Sequence, residues 1–225
     1  MMYQKWFNKT IKKTPKQQSE VSRYFWVTVL GLSLFASFYY YLAWLEIPNM
    51  LNKAVADVSV VLIGLSMLLT AICYFWDFAD TKIVYRKHLG LIGFAFAVVH
   101  LILSNKALLK LTDETAWQSG SVKPVIAGLT ATIIFTIMAL ISNRVATTKL
   151  GGIGWRRILR TGYVGLFFVL LHVAYLKSSH WVSWLETGAN RPPSLSLIVS
   201  VFIIIVLISR IMLWLSLLFK SKQKK

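Results

Sequence analysis

The sequence is short of the residues that build disulfide-bonded or nucleotide-binding domains. It has one cysteine, Cys73, so neither an internal disulfide nor a cysteine-based metal site can form. Acidic residues are also scarce, with eight aspartates and glutamates against 25 lysines and arginines. There is no G-x-G-x-x-G motif after a strand pattern and no P-loop. We therefore expect any pyridine-nucleotide chemistry to belong to a partner.

Most of the sequence consists of long apolar runs. Hydrophobic residues make up 56% of the 225 positions, which is too apolar for a soluble domain of this size. Six runs approach the roughly 20 residues that cross about 30 Å of hydrocarbon, although the third and fourth are short enough to predict tilt or local thinning. The sequence predicts an all-α integral membrane protein, a bundle of six transmembrane helices surrounded by lipid. The runs are Tyr24–Leu45, Val55–Phe78, Leu89–Leu103, Val125–Ile141, Ile158–Leu176 and Leu195–Leu218.

The basic residues alternate with the apolar runs, so the net charge of +17 does not indicate a nucleic-acid partner. A basic N-terminal segment (residues 1–23), a transmembrane domain (24–219) and a basic tail (220–225) are expected. The hydrophilic start and the length of the first run predict a retained helix instead of a cleaved signal peptide. The positive-inside rule then predicts that both termini are cytoplasmic. The opposite side would carry only Lys53, Lys106, Lys110, Lys123, Lys177 and Arg191.

Two histidines lie inside the third and fifth runs. His100 is 13 residues past Lys87, and His172 is 12 residues past Arg160. At 1.5 Å per residue both would lie about 18–20 Å from the cytoplasmic edge, and the two helices run in the same direction. A polar side chain at such depth costs a few kcal/mol unless it is partnered, so both are candidates for function.

The same glycine spacing precedes each histidine, in the pattern G-x-x-G-x₆-H. Gly90 and Gly93 precede His100, and Gly162 and Gly165 precede His172. Offsets of three, seven and ten residues fall close to one helix face, which predicts a groove beside each histidine that could accept a flat macrocycle.

We interpret the histidines as two axial ligands of one haem b. Zinc is disfavoured because no cysteine, aspartate or glutamate is expected at this depth. The alternative is helix–helix packing, in which small residues let helices approach and a histidine bonds across the interface.

Three further residues have open roles. His88, at the cytoplasmic end of the third run, is expected to be an interfacial side chain, a contact to a propionate or cofactor, or a ligand of a labile second group. His180, in a loop beside Trp181 and Trp184, is expected at the interface or at a quinone entrance. Arg210 could snorkel past Lys220 or pair with an anion such as a haem propionate. Alternatively the last span ends early and Ile211–Phe219 lies along the interface.

A glycine-rich basic loop is expected at Thr147–Arg157, which contains Gly151, Gly152 and Gly154. A basic turn at the lipid headgroups is the simpler interpretation. The alternative is that its backbone N–H groups and cations face a phosphate-bearing ligand.

Short motifs spread over residues 86–176 point to a known family. They are Arg86-Lys87-His88-Leu89-Gly90-Leu91, Phe94, His100, Lys123-Pro124, Ser142-Asn143, Trp155, Tyr163 and His172. In these motifs the chain resembles the ferric-reductase-like transmembrane family, and within it the haem-binding membrane subunits of periplasmic methionine-sulfoxide reductase systems. Where that family usually has a further histidine, this chain has Leu159 and Arg160.

The resemblance implies a haem b domain in the bacterial cytoplasmic (inner) membrane, with His100 and His172 as axial ligands. It would take electrons from a cytoplasmic flavin, flavoprotein or quinol and deliver them near the outer face, for example to a periplasmic reductase. Flavin mononucleotide or a quinone is a possible further cofactor. Two other functions stay open: a proton, ion or small-solute transporter that uses the buried histidines and Arg210, and a cofactor-free structural subunit of a membrane complex.

Overall fold

The computed structural model describes residues 19–222, with side chains described through residue 219. No residue in this range belongs to a strand, and six helical stretches are long and apolar enough to cross a membrane. The predicted all-α, six-span membrane bundle is therefore confirmed. Most of the expected N-terminal segment and the last three residues of the expected tail lie outside the described residues. The main helices are α1 (Glu20–Trp44), α2 (Met50–Phe75), α3 (Arg86–Leu103), α4 (Lys123–Leu140), α5 (Arg144–Arg160), α6 (Gly162–Glu186) and α7 (Leu195–Lys222).

Local sequence explains where several helices begin. The Ser19 hydroxyl accepts the N–H of Ser22 before α1, and the Asn143 side chain accepts the N–H of Ala146 before α5. Both are N-caps that satisfy an otherwise unpaired backbone donor. Pro124 lies in the first turn of α4, where its missing N–H costs no hydrogen bond. A 3₁₀ segment, Asp77–Tyr85, leads into α3.

Helix α2 is the centre of the bundle and packs against α1, α3 and α7. Just over half of its most apolar stretch is buried, compared with 17–28% for the other spans, which leave most of their surface to lipid. Three apolar clusters contain α2 side chains. The buried α2 residues are Ile63 and Met67 in the first cluster, Val58 and Leu62 in the second, and Ala54 in the third.

The helices that carry the two intramembrane histidines each pack mainly on a different neighbour, α3 on α2 and α6 on α4. Glycines make these contacts close. A Cβ on Gly93 would lie 2.9 Å from the backbone nitrogen of Ile63, and one on Gly165 would lie 2.8 Å from the Phe135 ring. A Cβ on Gly162 would lie 2.7 Å from Met138.

The predicted glycine grooves are therefore filled at these three positions by the neighbouring helices. Small residues allow this close approach where lipid provides no hydrophobic drive for helices to associate. Gly90 differs from the other three, since it faces the Ser66 hydroxyl and lines a cavity.

Two predicted loops are helical. The Thr147–Arg157 segment belongs to α5, which breaks only at Gly151, where φ is 66°. Such a φ is accessible to glycine at little cost, so two helical stretches meet in a kink at this residue. Helix α6 continues to Glu186, so His180, Trp181 and Trp184 lie on its last turns and not in a loop.

Candidate functional site

His100 and His172 meet between the α2–α3 pair and the α4–α6 pair. Their ring centres are 6.5 Å apart, with the ring planes at 79°. The prediction that both histidines lie at one level of the bundle is confirmed. His100 is in the last turn of α3, so the pair lies near the end of the bundle that holds the start of α2 and of α4. We call His100 and His172 the histidine pair.

Asn52 of α2 orients His100. Its Oδ1 lies 2.6 Å from the His100 Nδ1, and its Nδ2 donates to the Ser104 hydroxyl at 2.9 Å. An amide oxygen can only accept, so the Nδ1 of His100 carries the hydrogen. In the neutral imidazole the lone pair is then on Nε2, which is the nitrogen left for a metal.

A backbone carbonyl has the same effect on His172. The Pro124 oxygen lies 2.6 Å from the His172 Nδ1, and it too can only accept. The ring lies close against α4, because a Cβ on Gly128 would be 2.9 Å from the same nitrogen. Both histidines are therefore fixed in the tautomer that leaves Nε2 as the metal-binding atom.

The two histidine nitrogens suit haem iron better than a metal ion bound by protein side chains alone. Within residues 19–222 there is no cluster of three or more histidine, cysteine or carboxylate side chains, whereas haem iron takes only two ligands from the protein. The two ring centres are 6.5 Å apart, so one group could contact both imidazoles.

Asp57 is a charged residue of α2 that no motif in the sequence singled out. It follows Asn52 by five residues, about 7.5 Å of helical rise, and interacts electrostatically with Lys53 and Lys177. This carboxylate therefore lies more than one helical turn along α2 from the residue that orients His100.

His88 is buried inside the bundle. It is 1% exposed, its Nδ1 lies 3.2 Å from the Val84 oxygen, and its ring packs edge-on against Tyr24 of α1 with centres 4.5 Å apart. It lines neither of the two main cavities. Within the described residues its Nε2 has no hydrogen-bond partner. The structure therefore places His88 in the α1–α3 contact, away from the histidine pair.

Arg210 also lies away from the histidine pair. Its guanidinium carbon is 5.3 Å from the centre of the Tyr163 ring, and Tyr163 precedes His172 by nine residues, about 13.5 Å of rise. It lines a small cavity with other arginines, so it does not contact the site of the histidine pair.

Helix α7 runs without a break to Lys222, so the helix itself does not end early. His180 is exposed on α6.

No protein-family model matches the chain. The resemblance to ferric-reductase-like proteins therefore stays a prediction that rests on the motifs quoted above.

Proposed function

We propose that this multi-pass membrane protein is an electron-transfer subunit that holds one haem b between His100 and His172. Its donor would be a cytoplasmic flavoprotein or quinol, and its acceptor would lie on or near the outer face, such as a periplasmic reductase. The proposal includes membership of the ferric-reductase-like family and location in a bacterial inner membrane. The observation that supports it best is the histidine pair, with ring centres 6.5 Å apart and both Nδ1 atoms bonded to acceptors.

The protein residues would bind and orient the cofactor. His100 and His172 would hold it through their Nε2 atoms, while Asn52 and the Pro124 carbonyl keep the two rings in position. Acceptors on Nδ1 make an imidazole a stronger ligand by increasing its basicity. A bound haem b would supply a one-electron iron couple, whose potential depends on axial ligation, burial and nearby charge.

The position of the pair supports delivery at one membrane face. Arg86 begins α3 and His100 lies 14 residues later, so the pair is about 21 Å along the helix from the basic end. We call this the basic end because four arginines gather there: Arg86, Arg156, Arg160 and Arg210. The positive-inside rule favours a cytoplasmic basic end, which would leave the histidine pair in the outer part of the bilayer.

A reduced-minus-oxidised absorption spectrum of purified protein tests the proposal, with haem quantified per chain. Native protein should contain about one b-type haem, and His100→Ala and His172→Ala should each lose it because the two ligands act together. His180→Ala is the matched control, since that histidine is exposed on the same helix as His172. Native protein from haem-replete cells that contains no haem would contradict the proposal.

A proton or ion pathway is the second candidate. It is favoured by Asp57 of α2 and Lys177 of α6, which interact electrostatically. Charged side chains inside a membrane often line ion or proton routes. Proton uptake by proteoliposomes containing haem-free protein, abolished by Asp57→Asn, would support this function over electron transfer.

A further inference from the structure

Two cavities adjoin at the basic end, far from the histidine pair. One has a volume of about 40 Å³ and the other about 600 Å³. Neither is lined by His100 or His172. The residues that line both cavities are Thr70, Arg86, Arg156 and Leu159.

The smaller cavity is lined by arginines from three helices. Arg86 comes from α3, Arg156 and Arg160 from α5, and Arg210 from α7. Of the described residues that line it, none is acidic. Arginine binds phosphate and carboxylate groups through paired hydrogen bonds of fixed geometry, so this convergence favours an anion.

A threonine hydroxyl provides a second, independent indication of a ligand. Thr70 is only 8% exposed, and within the described part of the chain its Oγ1 has no hydrogen-bond partner. A buried hydroxyl without a partner is unfavourable, so such groups commonly bind a ligand or water. Thr70 lines both cavities, so the residue that carries this enclosed hydroxyl lies beside the arginines that line the smaller one.

The larger cavity is mostly apolar. Its walls include Phe94, Phe135, Met67, Met138 and Trp155. The smaller cavity has room for a phosphate-sized group, because about 10–15 Å³ already holds one water molecule. The combined space therefore suits a molecule with an anionic head and an apolar body.

We propose that the basic end binds the phosphate group of an amphipathic ligand, with the phosphate among Arg156, Arg160 and Arg210 and the apolar part in the larger cavity. The phosphate can come from a membrane phospholipid or from a soluble phosphate ester. This site is independent of the haem proposal, because it shares no residue with the histidine pair.

The test uses delipidated full-length protein in a neutral maltoside detergent. Binding is measured by the ligand-dependent shift of the unfolding temperature and by native mass spectrometry. The probes are dioleoylphosphatidylglycerol, phosphate-free dioleoylglycerol and inorganic phosphate. Chloride at equal ionic strength is the control for inorganic phosphate. The double variant Arg156→Gln/Arg210→Gln should bind the phosphate probe at least about tenfold more weakly. Arg157→Gln is the matched control, because Arg157 is exposed on the same helix and lines neither cavity.

Thr70→Val keeps the side-chain shape and removes the unpartnered hydroxyl. It should raise the unfolding temperature without ligand and weaken phosphate binding severalfold. Because this variant is expected to fold at least as well as native protein, lost binding would not reflect misfolding.

Binding of phosphatidylglycerol alone would support the site and identify a lipid source, while binding of inorganic phosphate would support a soluble source. Failure of both phosphate probes would overturn the site. Equal affinity for dioleoylglycerol, or unchanged affinity in the double variant, would overturn it as well.

Discussion

The ring of His172 lies so close to Gly128 that a Cβ on the glycine would be 2.9 Å from the histidine Nδ1 and 3.2 Å from its Cε1. The same Nδ1 lies 2.6 Å from the Pro124 oxygen, one helical turn earlier on α4. The absence of a side chain at position 128 therefore lets the ring reach the carbonyl that orients it. Gly128 is a positioning residue for the proposed haem ligand.

Gly128→Val should displace the His172 ring and greatly reduce haem content, because the added side chain occupies the space of the imidazole. Haem per chain and the fraction of folded monomer by size-exclusion chromatography measure the effect. Gly154→Ala is the control, since the nearest atom to its added Cβ is 4.0 Å away. A Gly128→Val protein that folds and keeps its full haem content would show that His172 is not held as described.

Asn52→Leu should weaken haem binding by about 10- to 100-fold, the usual cost of losing a group that orients a metal ligand. The change removes the acceptor of the His100 Nδ1 hydrogen, so the ring loses its fixed tautomer. Titration of haem into haem-free protein measures the affinity. Ser104→Ala, which removes only the second bond of Asn52, should have a smaller effect. Equal losses in the two variants would argue against a specific role for Asn52.

Gly93→Ala should destabilise the bundle by about 1–3 kcal/mol, as expected when a methyl group is forced into a packed interface. Its Cβ would lie 2.9 Å from the Ile63 backbone nitrogen, which cannot move without shifting α2. Gly90→Ala on the same helix should cost less, since the nearest atom is the Ser66 hydroxyl at 3.2 Å. Unfolding in detergent compares the two, and an equal or larger loss for Gly90→Ala would contradict this explanation of the α2–α3 contact.

The six spans and the level of the histidine pair follow from the sequence for a simple reason. Each residue of an α-helix adds the same rise along the helix axis. Two histidines that lie 12 and 13 residues past a basic edge, on helices that run in the same direction, therefore reach the same level. Apolar length likewise identifies a span without knowledge of its neighbours. These properties depend on one helix at a time.

The partners of the histidines could not be predicted in this way. Asn52 and Pro124 are each 48 residues from the histidine that they orient, and no periodicity shows that α2 packs on α3 or α4 on α6. The glycine spacing predicted a groove beside each histidine, whereas Gly93, Gly162 and Gly165 lie against neighbouring helices, and the spacing alone does not distinguish a helix neighbour from a cofactor. Arg210 was recognised as unusual, yet its arginine neighbours come from other helices.

The electron paramagnetic resonance spectrum of the oxidised protein tests the proposed ligation most directly, because it reports both axial ligands and the angle between their rings. Two imidazoles at 79° should give a low-spin ferric signal of the highly anisotropic type, which is characteristic of nearly perpendicular ring planes. A high-spin ferric signal, the rhombic signal of parallel imidazoles, or no haem signal in protein from haem-replete cells would contradict ligation by His100 and His172 in this arrangement.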